Sequence, residues 1–245
     1  MAAILIVGAT SPICRRLALK FAFEGARLFL AARDLDETER IAADIRMRAG
    51  AQAFAGNFEA SDFSSHAGLI SAAIEKLGKL DGLVIGVGAL GDESLAKRDA
   101  REAISVINAN FCGAVSILTV AAEEMERAKH GFIIVIGSVA GDRGRQGNYV
   151  YGSAKGALAL FAQGLRAKLA KSSVRVLTVK PGYVDTRMTW GRPGVFLSAD
   201  PEKVAARIHR ALGQRKDVIY VPSFWRPIMM VVRAIPERFF KRLNF

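Results

Sequence analysis

Short apolar runs alternate with longer amphipathic segments along almost the whole chain. Residues 2–8 (AAILIVG) form an apolar run without polar alternation, the pattern of a strand buried on both faces. Residues 15–26 then place apolar side chains at helical spacing and stop at Gly25. The unit recurs, with strands expected at 27–33, 51–57, 80–88, 131–138 and 174–182. Helices are expected at 36–50, 62–78, 96–129 (broken near Asn108) and 149–172. Strands alternating with helices of this length predict βαβ units and a parallel sheet. Right-handed crossovers then give a doubly wound Rossmann-type α/β fold with helices on both faces of the sheet. No repeat, low-complexity tract or linker interrupts the pattern, so residues 1–245 read as a single domain.

Such sheets bind ligands beyond the carboxyl ends of their strands. Those ends are Gly8, Arg33, Asn57, Gly86-Val87-Gly88, Gly137-Ser138 and Pro181-Gly182, which should meet along one edge. The segment 183–199 that follows the last of these is long and carries Met188, Trp190, Val195, Phe196 and Leu197, as a substrate loop would.

Chemistry enters with YGSAK. Tyr151 and Lys155 lie four apart on an expected helix and share one face. A lysine ammonium near a phenol favours the phenolate and lowers its pKa from about 10, so the tyrosine can exchange a proton with an alcohol or ketone oxygen nearer neutrality. Ser138, at the end of the preceding strand, can hydrogen-bond a carbonyl, and the Asn110 amide can hold a water against the lysine. A tyrosine and a lysine four apart are also common on solvated helices. It is their combination with Ser138, Asn110 and KPGYVDT after the next strand that points to catalysis.

With Gly8, Asn110, Ser138, Tyr151, Lys155, Pro181-Gly182 and Thr186 in these positions, the chain resembles the short-chain dehydrogenase/reductase family over nearly its whole length. The resemblance implies an NAD(P)-dependent oxidoreductase that interconverts a ketone and a secondary alcohol. Tyr151 would be its acid/base, Ser138 would orient the carbonyl, and Asn110 would anchor a proton-relay water. Lys155 would both lower the tyrosine pKa and bind the nicotinamide ribose, with the Val184 backbone and Thr186 hydroxyl at the carboxamide. It further implies homodimers or homotetramers built through helices 96–129 and 149–172. Three segments depart from the family pattern, all on the cofactor side. The first turn is GATSPIC rather than a three-glycine loop, Ile85-Gly86-Val87-Gly88 keeps only the last glycine of Asn-Asn-Ala-Gly, and Asn57 replaces an acid. In the first turn Gly8 keeps the tight bend, Thr10 and Ser11 offer hydroxyls, and Pro12 suits a first helical position. The Ile13 and Cys14 amides remain for phosphate at the helix N-terminus, with Arg15 and Arg16 as nearby attraction. At the end of the second strand, Arg33 suits a 2′-phosphate and favours NADP, while the adjacent Asp34 keeps NAD open.

The stretch GDRGRQGNYVYGSAK and the C-terminal tail resemble one branch of that family, the bacterial decaprenylphospho-erythro-pentofuranosid-2-ulose 2-reductases. That likeness implies a lipid-linked 2-keto sugar as substrate. A general 3-ketoacyl or secondary-alcohol oxidoreductase and a non-catalytic nucleotide-binding protein are the alternatives. Arg143, Arg145, Arg187 and Arg192 are candidates for a substrate phosphate or for solvated surface, and Tyr149 for packing of the substrate loop.

Composition narrows the partners. The 35 Lys and Arg against 23 Asp and Glu give a net charge of +12, which favours anionic ligands. No interleaved basic and aromatic array points to nucleic acid. Cys14 and Cys112 have no metal-ligand spacing and read as buried reduced thiols, so no metal is expected. No signal-peptide pattern or uninterrupted apolar stretch of bilayer length is read, so a cytoplasmic location is expected. The tail 224–245 mixes apolar and basic residues and leaves three roles open: a helix packed on the domain or another subunit, peripheral contact with the inner membrane face, or a lid.

Overall fold

The computed structural model describes residues 1–191 and 197–243. In chain order its elements are β1 (Ala3–Val7), α1 (Pro12–Phe23), β2 (Arg27–Ala32), α2 (Leu35–Ala49), β3 (Ala53–Asn57), α3 (His66–Leu77) and β4 (Gly82–Ile85). They continue with α4 (Glu93–Ala96), α5 (Ala100–Ile107), α6 (Gly113–Ala128), β5 (Gly131–Ile136), α7 (Tyr149–Leu169), β6 (Val174–Pro181), α8 (Pro201–Gly213), β7 (Val218–Val221), α9 (Trp225–Ala234) and α10 (Glu237–Phe240). The seven strands form one parallel sheet in the order β3-β2-β1-β4-β5-β6-β7. The doubly wound α/β expectation is therefore met. The strand order reverses between β1 and β4, which opens the crevice where such sheets bind ligands.

The pleat sorts each strand between two cores. In β1, Ile4 and Ile6 join Leu17 of α1, Ile41 of α2 and Ile208 of α8 on one face. Leu5 and Val7 join Leu69 of α3, Ile117 of α6 and Leu158 of α7 on the other. Residues covered on both sides explain why the strands read as continuous apolar runs.

The sequence boundaries shift in instructive places. Helix α1 begins at Pro12 rather than Arg15, because proline fits a position whose amide needs no intrahelical partner. Strand β4 stops at Ile85, so Val87 and Gly88 leave the ladder and become available to the site. The expected break at Asn108 is a π turn, Asn108–Cys112, between α5 and α6. Strand β7 was not anticipated, since four residues carry too little periodicity. The helical run Ala100–Ala128 is long and apolar enough by composition to cross a membrane, although Asn108 and Asn110 interrupt its apolar stretch. Its Ile117, Leu118, Ala121 and Met125 are fully buried in the core.

Candidate functional site

The first turn bends at Gly8, whose φ of +82° is a left-handed conformation that suits glycine. A Cβ at Gly8 would also lie 2.7 Å from the Gly86 carbonyl carbon, so the β1 and β4 ends meet through bare backbone. Ser11 is the N-cap residue of α1, and the Ile13 and Cys14 amides follow in its first turn with no intrahelical partner. Together these supply an anion-binding helix end that a phosphate can approach closely.

Two departures from the family pattern prove to be one compensated exchange. A Cβ on Gly86 would sit 2.1 Å from the Cys14 Sγ, so the thiol fills the space that a side chain at 86 would need. Cys14 is fully buried, and burial pushes its thiol up to about 12, so it is a packing group rather than a nucleophile. Gly86→Ala should therefore destabilise the protein by about 1–3 kcal/mol through overpacking. Adding Cys14→Ala should recover most of that loss, a non-additivity readable in the midpoints of thermal unfolding for the two single and the double variants. Cys112, expected to be buried, is only partly so.

Tyr151 and Lys155 lie on the buried face of α7, with 9% and 3% of their surface exposed. The lysine Nζ sits 5.8 Å from the Tyr151 ring centroid and donates to the Val87 carbonyl at 3.0 Å. Burial lowers the Lys155 pKa to about 8, because desolvation disfavours the ammonium. Next to it, a Cβ on Gly88 would fall 2.7 Å from Asn110 Oδ1 and 2.9 Å from Lys155 Nζ. The Asn110 amide nitrogen is committed to the Ala89 and Val106 carbonyls, at 2.6 and 2.8 Å. Its Oδ1 is buried without a hydrogen-bond partner among the described residues, leaving an acceptor between the π turn and the lysine.

Ser138 lies two residues past the end of β5, and its Oγ accepts from the Ala140 amide at 3.1 Å. The turn it begins, Val139–Asp142, rests on α7 at Gly152 and Gly156. A Cβ on Gly152 would lie 2.9 Å from the Ala140 carbonyl oxygen, and one on Gly156 2.9 Å from the Gly141 oxygen. The glycines of YGSAKG thus hold the serine turn against the helix that carries Tyr151. Their four-residue spacing was visible in the sequence but went unread.

The turn is tied down on its far side as well. The Asp142 carboxylate, only 1% exposed, pairs with Lys180 of β6 and accepts from the Tyr220 hydroxyl of β7 at 2.7 Å. Burial, and secondarily the bond to Asp142, push the Tyr220 pKa up to about 12, so it stays a donor. Lys180 precedes the Pro181-Gly182 turn, and Trp225 of α9 packs so closely that a Cβ on Gly182 would fall 1.8 Å from its Nε1. Sequence reasoning missed this triad because its members lie far apart in the chain.

A cleft of about 590 Å³ gathers most of the expected site. Gly8, Thr10, Ser11, Ile13 and Arg33 line its side nearest the α1 N-terminus. Gly88, Ser138, Tyr151 and Lys155 line the middle, and Pro181, Gly182, Val184 and Thr186 the far end. Asn110 stands behind Gly88, outside the lining. Asn57 is also outside it: its Nδ2 donates to the Arg33 carbonyl at 3.0 Å, so it supports the second-strand end instead. Arg15 and Arg16 are engaged in ion pairs, with Glu37 at 3.6 Å and Glu202 at 3.8 Å.

The segment 183–199 is closed at its base, where Asp185 N donates to the Ala199 carbonyl and Ala199 N to that of Tyr183, both at 2.9 Å. Met188 lines the cleft, while Trp190 is 66% exposed and donates to Asp185. Arg192, Val195 and Phe196 lie outside the described residues. Of the other arginines considered for a substrate phosphate, Arg187 lines the cleft. Arg143 is consumed by the tail, and the Arg145 Nε is buried without a hydrogen-bond partner among the described residues. Tyr149 is 44% exposed.

Comparison with known proteins agrees with this arrangement. The family model described as short chain dehydrogenase matches residues 2–193. An uncharacterized oxidoreductase of Mycobacterium tuberculosis is 37% identical over 99% of this chain and 97% of its own length. An NADP-dependent 3-hydroxy acid dehydrogenase of Schizosaccharomyces pombe is 28% identical over 91% of this chain and 92% of its own. Among solved structures, levodione reductase superposes with a TM-score of 0.83 at 21% identity, covering 90% of this chain and 95% of that one, a likeness of fold. The sheet order, the cleft at the switch point and these matches lead to one conclusion: the chain belongs to the short-chain dehydrogenase family of oxidoreductases.

Proposed function

We propose that the protein is an NADP-dependent reductase of ketones, working through Tyr151, Lys155, Ser138 and Asn110. The observation that carries this reading is the buried Tyr151–Lys155 pair at the floor of the cleft, with the Ser138 turn seated on the glycines of the same helix. A nicotinamide nucleotide suits the cleft: the bare-backbone bend at Gly8 and Gly86 and the α1 amides fit its phosphates. When bound, that group supplies the hydride. The protein's own part is proton handling and orientation. The Tyr151 hydroxyl donates a proton to the ketone oxygen, and the Ser138 hydroxyl donates a hydrogen bond to the same oxygen. Lys155, as the ammonium, stabilises the phenolate left behind. The Asn110 Oδ1 accepts from a water that relays a proton back toward the lysine.

Three facts support NADP over NAD. Asp34 accepts from the Glu37 amide at 2.9 Å as the N-cap of α2, which engages one of its two carboxylate oxygens. Arg33 is exposed at the rim of the cleft, and the S. pombe relative is described as NADP-dependent. Fluorescence titration of the wild-type protein with both nucleotides tests the reading, and Arg33→Ala sharpens it. NADPH should bind more tightly than NADH. The substitution should weaken NADPH by about 10- to 100-fold, the worth of charge-assisted phosphate bonds, and NADH by less than about threefold. Failure to bind either nucleotide would sink the proposal. Equal loss for both would remove the assignment of Arg33.

The substrate reading is a carbonyl on a lipid-linked 2-keto sugar. Its support is the resemblance of the 142–148 loop and the tail, together with Arg187 at the cleft. A 3-hydroxy acid or its ketone is the second reading, favoured by the S. pombe relative. Exposed Ile104 on α5 and Leu160 on α7 support assembly of subunits through those helices.

A further inference from the structure

The tail is a feature singled out in the sequence whose outer face the cleft does not use. Its inner face is accounted for. Trp225, Met229 and Val232, spaced for one side of a helix, pack with Val139, Tyr183 and Tyr220. Arg143 then closes the end of α9 by donating to the Val232 and Arg233 carbonyls at 2.7 and 3.2 Å. It also pairs with Glu237 at 2.8 Å and lies over the Phe240 ring at 3.7 Å. The helix is therefore held in a fixed orientation, and its other face is presented ready-made.

That outer face is apolar. Met230 and Val231 are 69% and 64% exposed, on the side of α9 opposite Trp225 and Met229. Phe239 and Leu243 add apolar exposure farther on. Exposed Arg226 and Arg233, seven apart, form one edge of α9, and Arg238, Lys241 and Arg242 follow. The single acid of this stretch, Glu237, is already paired with Arg143. A second copy of the chain meeting this face about a two-fold axis would set the basic edge against itself. An anionic lipid surface instead accepts the apolar side chains and offsets the charge.

We propose that α9 and the following turn form a docking surface for anionic lipid, with Met230 and Val231 entering the interface and the arginine edge lying at the headgroups. The surface is preformed, needs no unfolding of the tail, and is independent of the reading of the cleft.

Co-sedimentation of the full chain with vesicles tests it. Wild-type protein should pellet with phosphatidylcholine vesicles containing phosphatidylglycerol and stay in solution with phosphatidylcholine alone. Raising NaCl from about 0.1 to about 0.5 M should lower the bound fraction by about tenfold. Met230→Glu/Val231→Glu should lose binding while keeping the wild-type melting temperature. Met230→Ser serves if the double variant folds poorly, and should weaken binding severalfold. The proposal is overturned if wild type ignores anionic vesicles. Undiminished binding of the folded outer-face variants would overturn it too, since charge alone would then explain the adsorption. So would concentration-dependent self-association that these variants abolish, since a second copy would then be what covers the face.

Discussion

Tyr151→Phe is expected to lower kcat for ketone reduction by about 10²- to 10⁴-fold, the usual contribution of a positioned general acid, while leaving NADPH affinity within about twofold. The hydroxyl is the only group removed. The ring stays in its buried position against Val106 and Ala140, so the α7 face and the serine turn should keep their packing. Lys155 keeps its bond to the Val87 carbonyl, and the nucleotide should still meet it. Steady-state kinetics with a turned-over ketone, beside fluorescence titration of NADPH, separates the two effects. Retained turnover in the variant would remove the tyrosine from proton transfer. Parallel loss of turnover and nucleotide binding would make it a structural residue.

Asp142→Ala is expected to destabilise the fold by about 3–5 kcal/mol, the range for breaking a buried ion pair by removing one partner. The substitution strands the Lys180 ammonium, whose side chain is 16% exposed, and deprives the Tyr220 hydroxyl of its acceptor. Urea unfolding measures the loss, and a change under about 1 kcal/mol would show that solvent already satisfies the triad. A second readout follows from the Tyr220 shift. Its pKa is higher in the folded than in the unfolded state, so the stabilisation it reports is present below about pH 10. It disappears as pH rises toward about 12. Wild-type protein should lose stability across that window, and Asp142→Ala should lose less. Asp142→Asn, which keeps an acceptor for Tyr220, should be the milder change.

The parallel sheet and most of the cleft were legible in the sequence because they follow from local pattern. Apolar runs such as Ile4–Val7 mark strands covered on both faces, and the strand ends converge by topology alone. Tyr151 and Lys155 were legible because helical spacing places them on one face, and the irregularity at Asn108 because Asn and Gly interrupt an otherwise helical pattern. What stayed hidden depends on contacts between distant segments. Cys14 and Gly86 look like two separate losses until the thiol is seen to occupy the space of the missing side chain. Asp142, Lys180 and Tyr220 carry no shared spacing, and only the β5-β6-β7 order brings them together. Asn57, Arg15 and Arg16 lie near the expected phosphate loop in sequence, but their side chains are engaged by Arg33 just after β2, Glu37 of α2 and Glu202 of α8.

The central claim, hydride transfer to a ketone with Tyr151 as proton donor, is tested most directly by following label. The wild-type protein is incubated with NADPH deuterated on the transferring face of the nicotinamide C4 and a ketone panel that includes lipid-linked 2-keto sugars. The products are then weighed by mass spectrometry. The account predicts an alcohol carrying one deuterium on the new carbinol carbon with wild-type protein and almost none with Tyr151→Phe. Nucleotide binding without labelled alcohol from any ketone, or equal labelling by the two proteins, would contradict it.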